Sequence, residues 1–178
     1  MTSRLLALPA GVLAIAIASL CGSAPSGAEA RTSQTSRDSA AARLVGTWRL
    51  VKYVNTDPSG KVSHPFGTAP AGYFVYDPTG HLSIQIMRTP ATRPFASGDD
   101  AKGTDAEIRG AFDGYVAYFG TYRVDEAKGV LTHVVEGSSK PSYTGTEQPR
   151  PFTLKGDTLI IEIRENGWNY YRELHRVK

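Results

Sequence analysis

The stretch Gly72-Tyr73-Phe74-Val75-Tyr76-Asp77-Pro78-Thr79-Gly80-His81-Leu82-Ser83-Ile84-Gln85-Ile86-Met87 decides the fold class. Two runs of aromatic and branched apolar residues flank Asp-Pro-Thr-Gly. Proline presets the turn backbone, aspartate can bond the turn amides and glycine accepts the left-handed exit, so the segment reads as a β-hairpin. The same texture extends in both directions. Leu44–Val54 runs into Asp57-Pro58-Ser59-Gly60, and Gly120–Val124 ends at Asp125–Gly129 before Val130–Gly137. Pro151–Leu154 meets Lys155-Gly156-Asp157, Thr158–Arg164 meets Glu165-Asn166-Gly167, and Trp168–Val177 follows. Short strands at this spacing predict an all-β antiparallel meander of about eight to ten strands. Closure into an up-and-down barrel removes its edges, and at about eight strands the interior holds one small ligand. A two-sheet sandwich with a filled core is the competing arrangement.

One segment departs from the strand pattern. Thr104-Asp105-Ala106-Glu107 has the form of a capping box, and Ile108, Phe112, Tyr115 and Phe119 recur at helical spacing. The spacing predicts one inserted helix from about Asp105 to Ala117.

The N-terminus has a different composition. Arg4 precedes an apolar run from Leu5 to Leu20, and small residues lead to Ala28-Glu29-Ala30. This is the pattern of a secretory signal over residues 1–30, too short and wrongly flanked for a membrane span. Residues 31–43 are rich in Ser, Thr, Ala and Arg and read as a disordered leader, with one domain over residues 44–178. The only cysteine, Cys21, lies in the signal, so the exported chain carries no thiol, disulfide or cysteine-based metal site. Lipidation of Cys21 is the less favoured alternative, because Leu20 stands where a small residue is wanted before an acylated cysteine. The expectation is a periplasmic or secreted protein without stable membrane insertion after cleavage. A net charge of +3 with no Lys/Arg run argues against nucleic-acid binding.

Leu44-Val45-Gly46-Thr47-Trp48 at the start of the first strand resembles the Gly-x-Trp signature of lipocalins and the wider calycin barrels. The likeness extends through Gly72–His81, Arg93–Asp99, Gly114–Tyr122, His133–Ser138 and Gly145–Arg150. Together these segments resemble the small lipocalin-like domain family, over about Leu44 to Val177. That resemblance implies a calycin-type barrel in which Trp48 packs across the closed end beneath an arginine of the last strand. Arg176 and Arg172 are the candidates, Arg176 being nearer the strand end, and Gly46, Trp48 and Arg176 form the structural signature. Family members serve as stand-alone domains or beside secondary-metabolism enzymes, and a barrel of this kind hosts carriers and enzymes alike.

The aromatic supply carries most of the chemical information. Tyr115, Tyr118, Phe119 and Tyr122 fall within eight residues, joined by Tyr73, Tyr76, Met87, Phe95 and Tyr143. Phenols in an apolar pocket suit a ligand with rings and a few oxygens. A helix face of Ile108, Phe112, Tyr115 and Phe119 is also what docks a helix onto a barrel. His133 shares a strand face with Leu131 and Val135 and reads as a cavity-facing hydrogen-bonding group or a satisfied core histidine. His133 and Glu136, three apart on a strand, point to opposite faces unless a bulge intervenes, and no zincin or H-x-H spacing occurs, so neither metal nor cofactor is expected. Arg88, Arg93 and Arg150 sit beside prolines in expected mouth loops, where one of them can hold a ligand carboxylate.

These residues point to a carrier of a small, largely apolar, aromatic or polyketide-like molecule, bound by Met87, Phe95, Tyr115, Phe119, Tyr122, His133, Tyr143 and Arg150. One alternative is an isomerase- or cyclase-type enzyme with His133 and a tyrosine as acid–base pair. Another is a structural or inhibitor module that grips a protein through its mouth loops.

Overall fold

A computed structural model describes residues 39–178, so the signal, Cys21 and most of the leader lie outside the described residues. Nine strands form one antiparallel sheet: β1 (Gly46–Thr56), β2 (Val62–Ser63), β3 (Ala71–Tyr76), β4 (His81–Met87), β5 (Tyr115–Asp125), β6 (Val130–Ser138), β7 (Glu147–Lys155), β8 (Thr158–Glu165) and β9 (Trp168–Arg176). β1 pairs with β3 on one side and with β9 on the other, which closes eight strands into an up-and-down barrel. β2 is an extra two-residue strand on the far end of β1. The chain is therefore an all-β barrel of the lipocalin type, and the sandwich is excluded.

The hairpin chemistry is as the sequence requires. At residues 77–80 the Gly80 amide donates to Asp77 O at 3.0 Å and the Thr79 amide to Asp77 Oδ1 at 2.8 Å. The Asp57–Gly60 turn repeats both contacts. Strand alternation then sends Phe74, Tyr76, Leu82, Ile84, Leu131, Val135, Leu159, Ile161 and Leu174 into one buried core.

Two bulges shift that alternation. Val51 is the extra residue of β1 between the pairs Leu50–Leu174 and Lys52–Glu173, so the inward set Trp48, Leu50 continues as Tyr53 and Asn55. Glu136 is the extra residue of β6 opposite Phe119 and Gly120, and it stays exposed while His133 is fully buried. The bulge therefore does not bring Glu136 to His133.

One end of the barrel is sealed. Trp48 is fully buried and its indole N–H donates to Leu44 O at 2.7 Å. The Arg176 guanidinium lies 4.1 Å from the Trp48 ring centroid and donates to Val45 O at 2.8 Å and to Arg43 O. Arg176, not Arg172, thus covers the tryptophan. The reason for glycine at 46 follows: its φ is 132°, and a Cβ there would stand 2.7 Å from Arg176 Nη1. A short helix, α1 (Ala40–Leu44), capped by Ser39, supplies the Arg43 and Leu44 carbonyls, and Val45 is its C-cap. The last residues of the stretch read as a disordered leader, Ala40 to Arg43, are in this helix.

The inserted helix, α2 (Asp105–Asp113), starts on the expected capping box. The Glu107 amide donates to Thr104 Oγ1 at 3.3 Å and the Thr104 amide to Glu107 Oε2 at 2.8 Å. It ends four residues earlier than the spacing predicts, because Tyr115 pairs with Met87 and opens β5. From there the period changes from 3.6 to 2. Ile108 and Phe112 remain substantially exposed, so α2 is not docked by an apolar face.

Candidate functional site

The barrel interior opposite the sealed end holds a cavity of about 340 Å³. It lies among Phe74, Ile86, Val116, Ile161 and Ile163, with Tyr53, Tyr118, Tyr143 and Tyr170 supplying rings. Arg150 and Arg172 are its cations, Asn55 its amide, and Glu165 stands on the rim.

β5 places the first polar group. Val116, Tyr118 and Tyr122 take the inward positions and Tyr115 and Phe119 the outward ones. Tyr115 is 41% exposed and Phe119 57%, and Met87, facing Tyr115 across the ladder, is 40% exposed. None of the three lines the cavity. The helical spacing that singled out Tyr115 and Phe119 ends at Asp113, and in a strand it selects the wrong face. Phe119 instead covers Gly137 on the outer surface, where a Cβ on the glycine would meet the ring at 2.6 Å. Phe95 is likewise outside, packed against Gly103 in the β4–β5 connection. Tyr122 points inward near the sealed end, where its hydroxyl donates to Asp77 O at 2.8 Å and its ring meets Tyr76 edge-on. His133, Tyr143 and Arg150 are inside as expected, though His133 sits behind the wall of the cavity.

His133 is held between two tyrosines. Tyr76 Oη lies 3.0 Å from Nε2 and Tyr118 Oη 3.0 Å from Nδ1. Burial, with the Arg150 charge adding to it, pushes the imidazole down to about 3, so the ring is neutral at ordinary pH. A neutral imidazole has one donor and one acceptor nitrogen. Tyr76 is fully buried away from the cavity and, among the described residues, has only His133 to receive its hydroxyl hydrogen. Hydrogen-bond counting therefore assigns Tyr76 O–H to Nε2 and Nδ1–H to Tyr118 Oη. Tyr118, which does line the cavity, keeps its own hydrogen for whatever occupies it. Burial drives both phenols above their usual range, so neither readily loses its proton.

The two arginines reach the cavity from different strands. Arg150 belongs to β7 rather than to a loop. Pro149 and Pro151 are tolerated there because β7 pairs with β6 throughout this stretch but with β8 only from Phe152 onward, leaving an edge where no amide is needed. The inward set of β7 is Gln148, Arg150, Phe152 and Leu154, and Arg150 donates to Gln148 Oε1. Arg172 comes from β9, its guanidinium 3.2 Å from the Tyr53 ring centroid and its Nη1 2.9 Å from Val54 O. Burial depresses its pKa, partly offset by Tyr53, and the Arg150 charge adds to the depression. Arg88 packs against Gly114 and Arg93 is exposed in the β4–β5 connection.

Tyr53, Asn55, Tyr118, Tyr170 and Arg172 line the cavity but stand outside the binding set read from the sequence, although that reading counts Tyr118 among its aromatics and Arg172 as a candidate to cover Trp48. For Tyr118, strict alternation counted from the Gly120–Val124 strand was the available signal. For Tyr53 and Asn55 the Val51 bulge conceals the parity. Elsewhere, a groove of about 920 Å³ lies outside the barrel between Arg49, Tyr73 and Val177. It is open to solvent and has none of the enclosed polar groups of the interior. Among the described residues no cluster of three or more His, Cys, Asp or Glu side chains is placed to hold a metal.

The 4'-hydroxy-3'-methoxypropiophenone carrier protein of Aspergillus oryzae is 36% identical over 111 residues, a match that spans 54% of this chain and 99% of that protein. A solved redesigned beta barrel covers 78% of this chain and 96% of its own at 15% identity with a TM-score of 0.40. Residues 45–170 match the lipocalin-like domain, and the chain belongs to that family.

Proposed function

We propose that this protein is an exported carrier that holds one small aryl molecule inside its barrel. The observation that carries the reading is the interior itself: a cavity of about 340 Å³ walled by tyrosine rings and aliphatic side chains, with two arginines and an asparagine among them. That volume is at the small end of ligand pockets, which run from about 300 to 1,000 Å³, and suits a ligand of one or two rings. The relative's name supports the ligand class, a phenolic aryl ketone. Export rests on the signal pattern of residues 1–30.

The arrangement favours holding over converting. Both nitrogens of His133 are taken by tyrosines, the ring is neutral, and it meets the cavity only through Tyr118. A proton delivered to this chain of groups has no exit to solvent on the Tyr76 side. The test is titration of the protein with 4'-hydroxy-3'-methoxypropiophenone, followed by recovery of the ligand after long incubation. Saturable binding with the ligand returned unchanged is expected. Chemical conversion would give the role to an enzyme, and absence of binding would remove this ligand class.

A further inference from the structure

We propose that the cavity selects its ligand as an aromatic oxyanion, with Arg150, Arg172 and the Tyr118 hydroxyl gathered around the charged oxygen. This rests on the reading of the cavity as the ligand site and adds the charge state of what enters it.

The inference comes from an inventory of charge. Two guanidiniums enter the interior from β7 and β9, and among the described residues no carboxylate pairs with either. Arg172 is satisfied by two carbonyls, Val54 O and Tyr171 O, and by the face of Tyr53. Arg150 has Pro149 O and the amide oxygen of Gln148. The acidic residues nearby are committed elsewhere or stay outside: Glu147 pairs with Arg123 on the outer surface, and Glu165 is exposed at the rim. Carbonyls and ring faces compensate a partly buried cation only in part, and the Arg150 charge opposes that of Arg172 in the same cavity. An anion between them relieves both costs together, whereas a neutral ligand of the same shape relieves neither.

The hydrogen-bond assignment points the same way. A guanidinium has five N–H donors and no acceptor, and the His133 tautomer leaves Tyr118 with a donor facing inward. Donors thus dominate the polar face beside the two arginines; the acceptors there are the phenol oxygens, the Glu165 carboxylate at the rim and the Asn55 amide oxygen, which has no partner among the described residues. The groups packed around the two arginines are Tyr53 of β1, Tyr118 of β5, His133 of β6 behind it, Tyr143, Glu165 of β8 and Tyr170 of β9. Tyr118 and His133 each keep one protonation state through the neutral range, so a change in binding across that range reports the ligand.

Carboxylates and acidic phenolates share this chemistry, and three probes separate them: 4'-hydroxy-3'-methoxypropiophenone, its 4'-O-methyl ether, and 4-methoxybenzoate. The phenol has its own readout, because its phenolate absorbs at longer wavelength. On the wild-type protein the bound phenol is expected to ionise at least one pH unit below the free compound, which equals a tenfold preference for the anion. The ether should bind about tenfold more weakly than the phenol at a pH where the free phenol is itself ionised. Arg150→Gln should bring the bound titration back toward that of the free phenol and narrow the affinity gap between phenol and ether. Tight binding of 4-methoxybenzoate would extend the site to carboxylates; its failure to bind would confine the site to phenolates. If phenol and ether bind equally and the bound phenol ionises at or above its free value, the anion proposal is overturned and the carrier reading stands. If none of the three binds, the carrier reading falls and this inference with it.

Discussion

Lowering the pH from 7 to 5 should destabilise the barrel through one residue. His133 has a folded-state pKa of about 3 against an ordinary value of 6.5. The unfolded chain therefore binds a proton below about 6.5 that the folded chain refuses, and stability falls as pH falls. Between pH 7 and pH 5 this linkage amounts to about 2 kcal/mol, with a limiting slope of about 1.4 kcal/mol per pH unit. Carboxylates held below their usual range, such as Glu107 by the Ala96 and Thr104 amides or Glu173 by Lys52, add a slope of the same sign at lower pH. His133→Gln separates the two. It should cost about 1–3 kcal/mol at pH 7, because tyrosine hydroxyls lose partners in a dry interior. Its stability should then be nearly flat from pH 7 to pH 5, where wild type declines. Urea unfolding followed by tryptophan fluorescence at pH 7, 6, 5.5 and 5 measures both. Parallel curves for the two proteins would show that His133 does not sit neutral between Tyr76 and Tyr118, and the tautomer argument would go with it.

Other consequences follow from the same geometry. Trp48→Ala should cost about 3–5 kcal/mol and Arg176→Ala less. Because the guanidinium lies on the indole, the double variant should depart from additivity by at least about 0.5 kcal/mol in chemical unfolding. Tyr118→Phe removes the inward hydroxyl and should weaken aryl-ligand binding by about 0.5–1.5 kcal/mol. Phe119→Ala, outside the barrel, should leave the dissociation constant unchanged; a ligand titration followed by tryptophan fluorescence measures both variants. Sequencing the N-terminus of the protein recovered from the periplasm or medium should read from Arg31; an acylated Cys21 there would place it on a membrane instead.

The parts of the fold legible in the sequence were those set locally. The Asp77–Gly80 turn, the Thr104–Glu107 capping box and the buried face of Leu131, His133 and Val135 each depend on residues within a few positions. The Gly46–Trp48–Arg176 closure was legible through a family likeness, and its physical reason appears only when β9 is laid against β1. The cavity was read less well. A helical period carried past Asp113 chose Tyr115 and Phe119 over Tyr118, although Gly114 at the helix C-cap marks the stop and pairing with β4 begins at Tyr115. The Val51 bulge reverses the parity of Tyr53 and Asn55 because β9 sets the register of β1 from more than a hundred residues away. Prolines beside Arg150 suggested a loop, whereas the missing β8 partner is what lets them stand in a strand.

The claim at the centre of this account is that one ligand lies inside the barrel, against the inward face of β5. Calorimetric titration of wild type and Val116→Trp with 4'-hydroxy-3'-methoxypropiophenone tests it most directly, since Val116 lines the cavity without touching the sealed end. One site per chain is expected in wild type, with affinity reduced at least tenfold in Val116→Trp and the far-ultraviolet spectrum unchanged. Undiminished binding by the folded variant would contradict the account and move the ligand out of the barrel, with the groove between Arg49 and Val177 the next place to look.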